Sequence, residues 1–331
     1  MKFALWFLDM LSRVGVNTTR WRWKLHRMEQ RVERTVKNPG LPTSVHWLGY
    51  QHKICQHCGA MVDGKESHCP KCARWVPPIY LYKAFRLLGL MAPGGTAITV
   101  YLFLLVIFSV FLLNISIQGM SALTGLNSAS VFAFGGMSAN LVLDRHDYWR
   151  ILAFGLVHAN LIHLIFNASA LFQVGPIIET EIGRARMLSL ITLTQVAAAL
   201  ASVYWYETKG MGNVPTVGAS GWLFGLIGYG IALFRNSAGA AASYRQVLVQ
   251  WAVYSLLFGY FIGANNAAHI GGGVAGFIVG MLPRERRSGN TITEGVWPYI
   301  ATASLALWVV AIGFMGVEIW KYIIALGAAN S

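Results

Sequence analysis

Residues 96–117, Thr-Ala-Ile-Thr-Val-Tyr-Leu-Phe-Leu-Leu-Val-Ile-Phe-Ser-Val-Phe-Leu-Leu-Asn-Ile-Ser-Ile, carry no charged side chain. As a helix, a run of that length crosses ~30 Å of hydrocarbon. Further apolar stretches follow at about 155–177, 187–206, 217–234, 246–263, 267–282 and 298–320. The chain of 331 residues is 55% hydrophobic and only 12% charged, whereas soluble domains carry roughly a quarter charged residues. A fibrous protein, a disordered chain and a small disulfide scaffold are excluded. The expected class is an all-α polytopic membrane protein with seven spans, preceded by a small non-membrane part.

The charges give the chain a direction. Residues 1–90 hold 15 of the 26 Lys and Arg residues and 5 of the 13 acidic ones, a balance of +10 out of +13. Arg184 and Arg186 sit between the second and third spans, Arg235 and Arg245 between the fourth and fifth, and Arg284, Arg286 and Arg287 between the sixth and seventh. The alternate loops hold only Arg145, Arg150 and Lys209, with Lys321 in the tail. The positive-inside rule then places the N-terminus in the cytoplasm and the C-terminus outside. Residues 3–12 are apolar but contain Asp9 and lead into a basic run, so they read as an amphipathic segment rather than a signal peptide. Nucleic acid is one conceivable partner for residues 20–27, Arg-Trp-Arg-Trp-Lys-Leu-His-Arg. Beside a membrane, anionic lipid is the expected one.

All four cysteines fall in this first part, as Cys55-Gln-His-Cys58 and Cys69-Pro-Lys-Cys72. Two such pairs ten residues apart supply four thiolates, the donor set of a tetrahedral structural Zn²⁺ with ligands at ~2.3 Å. The pattern resembles a zinc ribbon. A cytoplasmic location argues against the alternative of two disulfides. His52, His57 and His68 are expected to be bystanders. The ribbon is expected to be structural or to bind a protein partner. The organisation is then a basic segment over 1–50, a ribbon over 51–76, a linker over 77–94, a six-helix core over 95–282, and a loop, seventh helix and outer tail over 283–331.

Polar side chains inside lipid are costly and tend to mark function. The second span contains His158, His163 and Asn167, and the spacing of four puts His163 and Asn167 on one helix face. The fourth opens with Val217-Gly218-Ala219-Ser220-Gly221. To Phe234 it is about 25 Å long, so Ser220 is expected in a recess below the outer surface, with its N–H at the positive end of a helix dipole. In the sixth, His269, Gly272, Gly276 and Gly280 line one face, and Gly221, Gly225 and Gly228 form a similar stripe on the fourth. Small-residue faces let membrane helices approach closely, and docking these two would bring Ser220 and His269 into hydrogen-bond reach.

With these residues in order, the chain resembles the rhomboid family of intramembrane serine proteases over about 95–282. Gly218-Ala219-Ser220-Gly221 matches the family's GxSG, Ala268-His269 with Gly272 and Gly276 its histidine helix, and His158, His163 and Asn167 its second helix. Trp149-Arg150 matches the Trp-Arg pair of the first loop, and Glu179 to Gly183 the acidic residue and glycine after the second helix. The resemblance implies a dyad in which Ser220 is nucleophile and His269 base. It implies an oxyanion met by the Ser220 N–H, His163 and Asn167. His158, Gly218, Trp149, Arg150 and Glu179 would support the site, His158 through hydrogen bonds. No cofactor is implied for catalysis. Substrates would be single-span membrane proteins, entering between the second and fifth helices. Phe224 stands where the family often has a tyrosine stacked on the histidine. A bacterial-type inner membrane fits. The alternatives are a non-catalytic rhomboid-like client-binding protein and a histidine-lined proton path.

Overall fold

The computed structural model describes residues 51–55, 60–73, 75–87, 97–125, 127–282 and 293–329. The basic segment 1–50, Cys58 and the arginines of the loop 284–287 lie outside the described residues, so the expectations placed on them are untouched. After two short strands, β1 (His52–Ile54) and β2 (Met61–Asp63), the described chain is helical. Its helices are α1 (Ile79–Leu87), α2 (Ile98–Gln118), α3 (Ser128–Ala133), α4 (Ala139–Leu143), α5 (Arg150–Ala153), α6 (Leu161–Ile182), α7 (Arg184–Thr208), α8 (Ser220–Leu233), α9 (Ala240–Phe261), α10 (Asn266–Met281) and α11 (Thr293–Ala329).

Among the described residues, four stretches are long and apolar enough to cross a membrane: Ile98–Leu123, Leu161–Ile182, Arg184–Thr208 and Val296–Ala328. α8 is apolar but only 14 residues long. At about 21 Å it falls short of the hydrocarbon thickness. Two boundaries differ from the hydropathy reading. The second span begins at Leu161 rather than near 155, because Asn160 is extended and its Oδ1 accepts the His163 N–H at 2.8 Å. That is an N-cap, and it leaves His158 in the bend before the helix. The stretch read as a linker, 77–94, contains α1.

α8 and α10 meet at backbone distance. A Cβ on Gly272 would run into the Gly221 carbonyl oxygen, one on Gly276 into the Gly225 carbonyl, and one on Gly228 into the Gly273 carbonyl. On its other side α8 meets α7, where a Cβ on Gly221 would lie 2.7 Å from the Ala198 methyl and one on Gly225 would strike the Thr194 side chain. The helix is thus held between two neighbours at backbone distance, and Trp222, Leu226 and Gly225 are buried.

α2 and α6 are joined by a cap that crosses the fold. Ala97 offers α2 no side-chain cap. Instead the buried Glu179 carboxylate of α6 accepts the Thr99 and Val100 N–H groups, each at 2.9 Å. Two orphan donors at a helix N-terminus, which favours negative charge, are satisfied by one distant acid. The first loop is sewn by Arg150, whose Nη1 donates to the Phe132 and Gly136 carbonyls at 2.6 and 3.0 Å and whose Nε pairs with Asp147 at 2.9 Å.

The last helix is built into this bundle. Trp308 donates its indole N–H to Thr192 Oγ1 of α7 at 2.9 Å. Phe103 of α2 touches Trp308 edge-on at 5.1 Å and Trp222 of α8 at 5.5 Å. Phe314 stacks on Trp149 of the first loop.

The glycine contacts generate a prediction. Gly276→Val sets a branched Cβ against a backbone carbonyl that cannot rotate away. It is expected to cost about 1–3 kcal/mol or more and to lower the melting temperature in detergent. Gly313→Val, on a part of α11 where a Cβ meets nothing within 4 Å, is the comparison and should melt near wild type.

Candidate active site and metal cluster

Ser220 is the first residue of α8, and three turns of chemistry converge on it. Gly218, two residues before, has φ +116°, a conformation that favours glycine, and its N–H donates to the Phe154 carbonyl at 2.9 Å. That bend aims the start of α8 at α10. His269 Nε2 lies 2.8 Å from Ser220 Oγ. The Phe224 ring, one turn along α8, stacks on the imidazole at 4.5 Å and 8°. The phenylalanine therefore keeps the stacking that the resemblance associates with tyrosine. His269 is 8% exposed, whereas Ser220 is half-buried.

His163 and Asn167 lie on the facing side. A Cβ on Gly218 would come within 2.6–2.7 Å of the His163 ring and 3.7 Å of Asn167 Nδ2. Both side chains therefore border the position just before Ser220. His163 Nδ1 faces the Ala159 N–H at 3.4 Å, and a backbone N–H can only donate. That leaves Nε2 as the protonated nitrogen, a donor directed at the serine end of α8. Asn167 Nδ2 also donates to the His163 carbonyl at 3.1 Å. The arrangement can accept a serine proton on one side and offer N–H groups to an oxyanion on the other.

His158 is buried, and its ring packs edge-on to His163 at 5.1 Å. Neither of its ring nitrogens makes a hydrogen bond of ordinary geometry. It meets His163 through ring packing. Trp149, Arg150 and Glu179 are brought together not with the serine but with the loop and helix ends described above.

Two residues that sequence reasoning passed over complete the histidine's surroundings. Asn266 Oδ1 is 3.1 Å from His269 Nδ1, and Asn266 Nδ2 donates to the Leu256 carbonyl of α9 at 3.0 Å. Asn265 caps α10 by accepting the Ala268 N–H at 3.2 Å, and its Nδ2 donates to Ser202 of α7 at 2.6 Å and to Thr216 at 3.1 Å. Adjacent amides at the entry of a histidine-bearing helix, costly in lipid unless paired, were the available signal.

The ribbon cysteines form a separate site. The sulfurs of Cys55, Cys69 and Cys72 lie within 4.8 Å of one another, with Cys55 and Cys72 at 3.6 Å. Thiolates at ~2.3 Å from a tetrahedral zinc are about 3.8 Å apart, so the three sulfurs fit such an ion. The Cys55 N–H donates to Ala60 and the Ala73 N–H to Cys69, each at 2.8 Å, closing the two knuckles. Val62 and Val76 pack against Cys55 and Cys69.

A helical membrane bundle with a serine–histidine pair at the end of two glycine-docked helices defines the class of protein. Residues 145–286 match the family model of the Rhomboid domain. The chain carries that domain and has the rhomboid fold. It is 27% identical over 209 residues to Rhomboid protease GluP of Bacillus subtilis (strain 168), covering 61% of this chain and 39% of that one. It is 28% identical over 169 residues to Rhomboid protease AarA of Providencia stuartii, covering 44% and 60%. It is also 27% identical over 151 residues to Inactive RHOMBOID-like protein 8 of Arabidopsis thaliana, covering 45% and 42%. The chain spans about half the length of the curated relatives it matches.

The sulfur cluster sets an elemental test. Purified protein is expected to hold close to one zinc per chain by mass spectrometry, and Cys55→Ser to hold markedly less; metal-free wild type would contradict the assignment.

Proposed function

We propose that this chain is an intramembrane serine endopeptidase working through Ser220 and His269. The observation that carries the reading is the 2.8 Å approach of His269 Nε2 to Ser220 Oγ, with His163 and Asn167 bordering Gly218 two residues before the serine. Ser220 Oγ attacks the scissile carbonyl while its proton passes to His269 Nε2. The oxyanion is met by the Ser220 N–H, the first of α8 and at the positive end of its dipole, with His163 Nε2–H and Asn167 Nδ2–H. Collapse expels the amine, which takes the proton from His269. Water then attacks the acyl-serine, giving its proton to His269, and the new carboxyl product leaves with the serine restored. Donors preorganised in such a site are worth much, and loss of one typically costs ~10²–10³ in rate.

The substrate class is a single-span membrane protein. Its helix has to unwind before a carbonyl can reach Ser220, since a helix engages its own carbonyls. α9 has only Leu248 and Gly259 buried, with Tyr254, Phe258, Tyr260 and Phe261 exposed, which suits a lipid-facing gate beside the site. The rest of the reading is a cytoplasmic N-terminus with anionic-lipid contacts, an outer C-terminus, a bacterial-type inner membrane and a zinc-stapled ribbon. Zinc is structural here, since four thiolates fill a tetrahedral ion. Trp75 of the ribbon and Phe85 of α1 lie against Tyr299 of the last helix at 5.9 and 5.1 Å.

The relative named as inactive keeps a second reading in view, a client-binding protein without hydrolysis. A fluorophosphonate probe on purified protein separates the two. Wild type is expected to be labelled, Ser220→Ala and His269→Ala not, and Asn167→Ala about 10²–10³-fold more slowly. A well-folded wild type that takes no label would favour client binding.

A further inference from the structure

We infer that Asn266 is a positioning residue that fixes the protonation state of His269 by reference to α9, so that the placement of α9 decides whether Ser220 has a base. The inference rests on the serine–histidine reading above and adds a control to it. It begins at the Leu256 carbonyl, which can only accept. Asn266 Nδ2 therefore faces it, at 3.0 Å. With the amide so turned, Asn266 Oδ1 is the atom at 3.1 Å from His269 Nδ1. An amide oxygen only accepts, so Nδ1 must carry the proton. Nε2 is then the bare nitrogen, the one 2.8 Å from Ser220 Oγ. A main-chain carbonyl on α9 thus selects, through two hydrogen bonds, the tautomer that can take a proton from the serine.

The packing of α9 isolates this link. α9 has only two buried residues, Leu248 and Gly259. Gly259 lies one turn beyond Leu256, and a Cβ there would come 2.7 Å from Asn266 Oδ1. The absence of a side chain at 259 is what lets Asn266 reach both partners. Asn265 secures the same helix start separately, to Ser202 and Thr216, so α10 keeps its cap if Asn266 is changed. The groups packed on the imidazole are Ser220 and Phe224 of α8 and Asn266 of its own helix; the titratable neighbour is His163 of α6. A carboxylate does not face it among the described residues. A substrate helix that displaced α9 at this level would move Leu256 and release the amide. A substrate that left α9 in register would find the base set.

The test measures fluorophosphonate labelling of the full chain in detergent, as maximal rate and apparent affinity across pH, with melting temperatures. Labelling of wild type and its absence in Ser220→Ala establish the underlying reading; equal labelling of the two overturns both. Asn266→Ala is expected to lower the maximal rate about 10- to 100-fold, the usual effect of losing an orienting partner, with affinity within about twofold. Asn266→Asp restores an acceptor to Nδ1. It is expected to recover much of that loss and to move the acidic limb of the profile to higher pH, because a carboxylate favours the imidazolium. Gly259→Ala, which replaces no site side chain but presses a methyl on Asn266 Oδ1, is expected to slow labelling without a matching fall in melting temperature. Wild-type rates in Asn266→Ala would overturn the inference. So would equal losses in the alanine and aspartate variants with an unmoved pH profile, which mark a structural residue only. Wild-type rates in Gly259→Ala would remove the link to α9.

Discussion

The approach of two backbones, Gly221 and Gly225 on α8 against Gly272 and Gly276 on α10, is the constraint from which the rest follows. Lipid gives apolar side chains no reason to prefer each other over acyl tails, so helices in it associate through close packing and polar contacts. Here the closeness is at its limit, since a β-carbon at Gly272 or Gly276 would overlap a carbonyl oxygen of α8. The seam fixes the register of the two helices, and the register sets Ser220 opposite His269 and Phe224 beneath the ring. α7 closes the other side of α8 through Ala198 and Thr194. The position of the serine is therefore a property of three packed helices rather than of its loop.

Around that frame, the polar groups are oriented by partners that act in one sense only. Ala159 contributes an N–H to His163, and Leu256 contributes a carbonyl to Asn266 and through it to His269. Backbone groups make good references because they neither titrate nor rotate. The two histidines are thereby set for opposite tasks: one presents a bare nitrogen to the serine and the other an N–H. Glu179 follows the same logic at the far end of the core, where an acid on α6 fixes the first turn of α2.

The sequence was most legible where the physics is periodic. The charge-free run at 96–117 became α2, and the spacings of three and four among glycines foretold the seam, hence the meeting of Ser220 with His269. Phe224 was singled out through the family resemblance, which puts a ring stacked on the histidine at that position. Contacts between residues far apart in the chain left no such trace. Asn266 reads as one polar residue near a helix end until the Leu256 carbonyl is seen beside it. Glu179 caps a helix some eighty residues earlier, a pairing that no local pattern encodes. The second span was placed too early because 155–160 is apolar enough to pass for helix, whereas the Asn160 cap decides its start. Likewise, 77–94 lacks the length of a span, and the helix within it is held by contacts distant in sequence, Phe85 on Tyr299 and the Tyr82 hydroxyl accepting the Ile54 N–H.

The two halves of the proposed site lie 49 residues apart on helices that are not neighbours in sequence. In a chain being synthesised at about 5–20 residues per second, α8 precedes α10 by several seconds. Throughout that interval the serine has neither its imidazole nor the seam that would shield it. Hydrolytic competence would therefore arrive late, at the docking of α10, after most of the bundle has entered the bilayer. A nascent protease of this design would be harmless to the membrane proteins being inserted around it. Its safety catch would be the order in which its own helices are made.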